Sequence, residues 1–286
     1  MKSKEKVIDK IKEEGEKLAF SPVSENLARI GYGARGLIYV VIGVLAIMLA
    51  FGVSGSLQDQ QGAIAFIGQQ PLGKFLLGIV LIGLVGYSLC GLIRAFFNPL
   101  HKGKNFWNIL ERIGFFISAV AYAILIPSTY NFIFSKQGAA QNGAQGIQMR
   151  DIISTIFSIP LGKWIVGIIG LFVLGVGVFQ VYRGLRHNFD KQIEPYALTL
   201  KQIKWVKTMG RFGTLGRAIV FFLIGILLII AAYSANPLKV KGIDEALLVL
   251  MQQPYGAWLL GIVALGLILF GFYSLLTGLW FKMKRS

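Results

Sequence analysis

The chain has 286 residues, 55% hydrophobic and 15% charged, with a formal net charge of +16 and a mean hydropathy of +0.65. Soluble globular chains carry about 45–50% apolar and about 25% charged residues, so an ordinary soluble domain is excluded and a membrane protein indicated. The single cysteine, Cys90, excludes a disulfide framework and a paired-cysteine metal site.

Residues 1–20 are highly charged and contain no apolar core, so they do not read as a signal peptide. Val7, Ile8, Ile11 and Leu18 fall near one helical face among Lys and Glu. That spacing predicts an amphipathic helix on the membrane surface, with a solvated helix or frayed tail as the open alternative. Six apolar runs without charge follow, at 36–58, 75–93, 113–135, 164–182, 218–238 and 246–281. A helix rising about 1.5 Å per residue needs roughly 20 residues to cross about 30 Å of hydrocarbon, and each run is long enough. Spanning segments must satisfy their own backbone hydrogen bonds, and no period-two alternation suggests a barrel. The expected fold is therefore an all-α membrane protein with six transmembrane helices.

The runs repeat in pairs. Arg29-Ile30-Gly31-Tyr32 opens the first, Arg112-Ile113-Gly114-Phe115 the third and Arg211-Phe212-Gly213 the fifth. Pro71-Leu72-Gly73, Pro160-Leu161-Gly162 and Pro254-Tyr255-Gly256 open the second, fourth and sixth. Arg35 recurs as Arg217, whereas Ser118 stands at that place in the second pair. Two spans per unit give three parallel repeats of a helical hairpin, related by rotation about an axis near the membrane normal. Each Pro is expected in the first turn of its helix, where its missing N–H costs nothing, and the Gly is expected to allow close packing. The units read as an N-terminal segment 1–28, repeats at 29–98, 99–186 and 211–281, a linker 187–210 between the second and third, and a tail 282–286.

The pattern Arg29-Ile30-Gly31-Tyr32-Gly33-Ala34-Arg35-Gly36, then Gly62-Ala63, then Gln70-Pro71-Leu72-Gly73, resembles the DUF1206 family of bacterial membrane proteins. The resemblance covers residues 29–280 and implies a repeated two-helix domain; it brings no activity with it. The second unit departs most, with Ser118 for the second Arg and a longer outside loop, which implies that a pseudo-symmetric site is incomplete there.

Charge sets the expected orientation. The segment to Arg35 holds eight Lys or Arg, the second loop four, the fourth loop eight and the tail three, 23 in all against six on the other side. The positive-inside bias places both termini in the cytoplasm of a cell whose plasma (inner) membrane the chain spans. The surplus then reads as contact with anionic lipid headgroups, and no nucleic-acid-binding motif accompanies it. Arg29, Arg35, Arg112, Arg211 and Arg217 are the candidates for headgroup contact or structural anchoring, at a depth where their stems snorkel.

No charge lies in the cores of the spans. Asn131 and Gln180 are the polar exceptions, expected to hydrogen-bond inside the bundle, with Pro127 kinking the third span. His101 and His187 have no neighbouring ligand set, and Gly31-x-Gly33-x-x-Gly36 follows no strand, so neither a metal nor a dinucleotide is expected. Asp59, Asp151, Asp244 and Glu245, ahead of the Pro-x-Gly turns, suit helix capping, with cation binding as the alternative. No catalytic set and no cofactor is expected. The composition supports a non-enzymatic scaffold or lipid-interacting envelope component; the alternative is a small transporter or channel with a pore along the pseudo-threefold axis.

Overall fold

The computed structural model describes residues 21–53, 57–97, 106–134, 144–186 and 199–280, and among them there is no strand. The helices are α1 (Pro22–Ala50), α2 (Gln60–Gln69), α3 (Gly73–Phe97), α4 (Phe106–Ala123), α5 (Leu125–Phe134), α6 (Ala144–Phe157), α7 (Gly162–Arg186), α8 (Leu200–Tyr233), α9 (Ile243–Met251) and α10 (Gly256–Trp280). Six units are long and apolar enough to cross a membrane: α1, α3, α4 with α5, α7, α8 and α10. The expected N-terminal amphipathic helix, His101, His187 and the tail after Trp280 lie outside the described residues.

Three times the chain runs through a long helix, a short helix, a Pro-x-Gly turn and a second long helix. The short helices α2, α6 and α9 occupy what the sequence presents as loops. Asp59 starts α2 by accepting the Gly62 N–H at 2.7 Å, and Gln70 Nε2 and Gln253 Nε2 donate to the last-turn carbonyls of Phe66 and Val249 in α2 and α9. The end of the bundle carrying these turns is called the far side here, and the end where α1, α4 and α8 begin is the basic side.

The Pro-x-Gly geometry corrects the expectation for Pro71, Pro160 and Pro254. They precede the helices, which begin at Gly73, Gly162 and Gly256. Each Pro is the second residue of a four-residue turn closed by Gly73 N–H to Gln70 O (2.8 Å), Gly162 N–H to Ile159 O (2.9 Å) and Gly256 N–H to Gln253 O (2.8 Å). The third residue has positive φ: Leu72 61°, Leu161 70° and Tyr255 59°. That is the pattern of a type II turn, with a non-glycine where Gly is usual. The Gly that follows is fixed by contact. A Cβ on Gly73, Gly162 or Gly256 would lie 2.3, 1.9 or 1.9 Å from the carbonyl oxygen of Ile67, Ile156 or Met251.

Packing arranges the spans in the order α4, α3, α1, α10, α8, α7. The interface of α1 with α10 is the most extensive, followed by α7 with α8, and it depends on reciprocal glycines. A Cβ on Gly36 would come within 2.7 Å of Gly271 O, and one on Gly271 within 2.8 Å of Gly36 O. Gly216 and Gly266 bring α8 and α10 together in the same way, whereas Gly261 faces open space. The first and third hairpins are closed by α1 on α3 and α8 on α10. The second is parted: α4 and α5 pack on α3, α7 packs on α8, and among the described residues no interface of comparable extent joins them. Pro127 lies just beyond the break at Ile124 between α4 and α5, consistent with the loss of its N–H toward the carbonyl four residues back.

Candidate functional site: a buried arginine and tyrosine centre

Arg35 lies 13 residues into α1 and Arg217 lies 17 residues into α8. By helix rise both are roughly 23 Å from the far ends of their helices, inside the hydrocarbon thickness. Neither reaches for headgroups. Arg35 is only 9% exposed; its Nη1 donates to Tyr87 Oη (2.8 Å) and its Nε to Ser274 Oγ (3.2 Å). Its guanidinium carbon stands 4.8, 5.2 and 5.0 Å from the ring centres of Tyr32, Tyr87 and Phe270. Arg217 lies 4.2 Å from the Phe270 centre and 5.1 Å from that of Tyr39. Two guanidinium groups therefore share the Phe270 ring. This departs from the expected interfacial position, and the reason is local: the charge-free run begins immediately after each Arg, while the interior offers aromatic faces that attract a desolvated cation by about 2 kcal/mol each.

A third basic group points the same way. Arg94 on α3 is buried, donates to Tyr32 Oη at 3.0 Å and lies 5.5 Å from the Phe115 ring centre. Arg183, its repeat counterpart on α7, is partly buried. Gln180 is buried one turn away. Arg35, Arg94 and Arg217 thus meet in an interior rich in tyrosine and phenylalanine. Around Arg35 and Arg217 aromatic rings and hydroxyls solvate the cations. Arg217 Nε and Tyr122 Oη are buried without a hydrogen-bond partner among the described residues. Arg94 and Arg183 escape a search for charges inside the spans because each sits at the edge of an apolar run; their counterpart places in the Pro-x-Gly helices are the signal that could have found them.

The remaining candidates separate from this centre. Arg112 donates twice to Ala95 O (3.0 and 2.7 Å) and once to Phe96 O, and Arg211 donates to Gly184 O (3.2 Å) and Leu185 O (2.9 Å). These carbonyls are repeat-equivalent, so an opening arginine caps the last turn of the helix before it, where the helix dipole favours a cation. Arg29 pairs with Glu25 at 2.8 Å. Asn131 corrects the expectation of a bundle-lining group: it is exposed on the outer surface, while Thr129, two residues earlier, is buried and bonded back to Leu125 O.

On the far side Glu245 pairs with Arg150, whose Nε also donates to Val240 O at 3.0 Å. Asp244 is nearly buried close to Asp59, and burial followed by the Asp59 charge raises its carboxyl to about 6. Among the described residues no group of three or more His, Cys, Asp or Glu gathers as metal ligands.

Comparison with known proteins matches the chain three times, at residues 30–98, 113–187 and 212–280, to a family model described as Domain of Unknown Function (DUF1206). The chain is 32% identical over 283 residues to the "Uncharacterized protein YxxB" of Bacillus subtilis (strain 168), covering 99% of this chain and 98% of that one. No solved structure matches.

Proposed function

Since the chain belongs to the DUF1206 family, whose description leaves function open, we propose from its own geometry that it is a non-enzymatic, lipid-interacting membrane protein that holds an anionic group in the arginine and tyrosine centre. The observation that carries this reading is the approach of Arg35 and Arg217 to one Phe270 ring, with Arg217 Nε and Tyr122 Oη buried there and without a hydrogen-bond partner among the described residues. A phosphate or carboxylate would accept from Arg217 Nε and Tyr122 Oη. The positive-inside bias supports a centre nearer the cytoplasmic leaflet of the plasma membrane.

What favours a holder over a channel is the layer beyond the centre. Ile38, Ile42, Ile64, Leu247, Leu260 and Ala264 are 0–1% exposed and form one cluster with the aromatic residues. Such a packed aliphatic layer offers an ion no polar path to the far side.

Thermal unfolding in detergent with inorganic phosphate tests the reading. Phosphate is expected to raise the midpoint of the native chain, because a ligand of the folded state stabilises it by mass action. Arg217→Met is expected to remove that increment while leaving the phosphate-free midpoint unchanged or higher, since replacing a buried, uncompensated charge with an apolar chain is neutral or favourable. A variant that unfolds early without phosphate, in a native chain indifferent to phosphate, would make Arg217 purely structural.

A further inference from the structure

We infer that the outer face of α8 is a boundary site for an anionic phospholipid of the basic-side leaflet, its acyl chains along the span and its headgroup against Lys201, Lys204 and Trp205. The site is separate from the buried arginine and tyrosine centre and does not rest on it. α8 begins eleven residues before its opening Arg211, whereas α1 and α4 begin seven and six residues before Arg29 and Arg112. The extension is firmly built. Thr199 and Gln202 cap its first turn reciprocally, and Val206, 1% exposed, joins the central apolar cluster with Met209 packed against it.

The opposite face of α8 is open from end to end. Trp205, Phe212, Ile219, Ile226 and Ile230 are all exposed, and their steps of seven, seven, seven and four residues keep them on one side of the helix. Tyr233, at the far end, is exposed as well. Trp205 and Tyr233 stand about 42 Å apart along the helix, matching the roughly 40–45 Å of a bilayer with its headgroups. Trp205 therefore sits in the headgroup layer, where an indole ring is at home, and the isoleucines face acyl chains. Lys201, one turn before Trp205, and the neighbouring Lys204 are exposed and enter no ion pair among the described residues. α8 contains no Asp or Glu, whereas the openings of α1 and α4 carry Glu25 and Glu111. The apolar stripe accepts any lipid; the two lysines at its headgroup end select a negative one. A second copy docked by two-fold symmetry would set the lysines of both chains against each other. A soluble acidic protein would reach the lysines but not the face from Phe212 to Ile230.

The test uses the full chain in phosphatidylcholine bilayers, with a fluorophore attached through Ile219→Cys; the native Cys90 is buried. Phosphatidylglycerol or phosphatidylcholine carrying a nitroxide on the acyl chain serves as quencher. The phosphatidylglycerol probe should associate with this position about tenfold more strongly than the phosphatidylcholine probe. The preference should weaken as salt is raised. Lys201→Gln with Lys204→Gln should equalise the two probes, and a reporter at Ile82→Cys, on the exposed face of α3, should show them equal in the otherwise native chain. Stabilisation by phosphate through Arg217 should persist in the lysine variant, so the outer site and the buried centre stand or fall separately. Equal quenching by both probes at residue 219, or a preference that survives loss of both lysines, would overturn the inference. So would the same preference at residue 82, which would make it a property of the whole basic side. If neither probe quenches at 219 while both quench at 82, protein covers this face of α8 and the lipid site is refuted.

Discussion

Phe270 shows how one side chain can organise the interior. It is 4% exposed, stands edge-on to Tyr39 at 5.0 Å and lies within 5.0 Å of both central guanidiniums. Phe270→Leu removes ring volume and two cation–π contacts together, and should lower unfolding stability in mixed micelles by about 2–4 kcal/mol. Phe272→Leu, two residues along and 43% exposed, should change it by less than about 0.5 kcal/mol. Equal losses would mean that the rings merely fill space. At this scale the sequence is only partly legible. The recurrence of Arg35 as Arg217 is visible in the primary structure, and so is the substitution of Ser118. Which way an Arg at the edge of an apolar run turns is not visible, because a snorkelling stem and an inward one have the same sequence. Asn131 fails for the same reason: its side of α5 depends on the phase change introduced at Ile124, which residue spacing does not carry.

The helical elements are legible because their lengths and charge-free runs are set by the bilayer. The Pro-x-Gly turns are legible as punctuation, but their conformation is not, since a Leu or Tyr at positive φ runs against its own backbone preference. The short helices α2, α6 and α9 are missed for a related reason: stretches such as 60–69 are too short for periodicity to separate helix from loop. The turn geometry makes a paired prediction. Gly256→Ala puts a methyl 1.9 Å from Met251 O and should prevent folding or cost more than about 3 kcal/mol. Gly261→Ala, five residues into the same helix and facing open space, should be neutral or stabilising by up to about 1 kcal/mol. Expression level together with thermal unfolding separates them, and a tolerated Gly256→Ala would refute the turn as described. Arg211→Ala tests the capping role of the opening arginines. Loss of its bonds to Gly184 O and Leu185 O should expose the last turn of α7, read as faster amide exchange at residues 183–186 without global unfolding.

For the whole molecule, three like-oriented hairpins follow from the repeats, but the parting of the second does not, because neighbour contacts between spans leave no periodic trace. On the far side the repeats are joined by charge. Arg150 of the second unit holds Glu245 of the third, and Asp244 beside it faces Asp59 of the first. This junction should make the bundle sensitive to pH. The Asp244 carboxyl rises from an ordinary 3.8 to about 6, chiefly because it is buried and secondly because Asp59 is near. Between those values the folded chain binds more protons than the unfolded one, so the contribution of Asp244 is greatest below about pH 4 and is lost as pH rises through 6. Two pKa units correspond to about 3 kcal/mol, and partial access of solvent reduces this to about 1–2 kcal/mol. Asp244→Asn cannot ionise. From pH 4 to pH 7.5 the unfolding midpoint of the native chain should therefore fall relative to that of Asp244→Asn, which should be the more stable at pH 7.5. Parallel profiles for the two would show that the carboxylates of the first and third repeats do not communicate, and that the far side is held by packing and the Arg150–Glu245 pair alone.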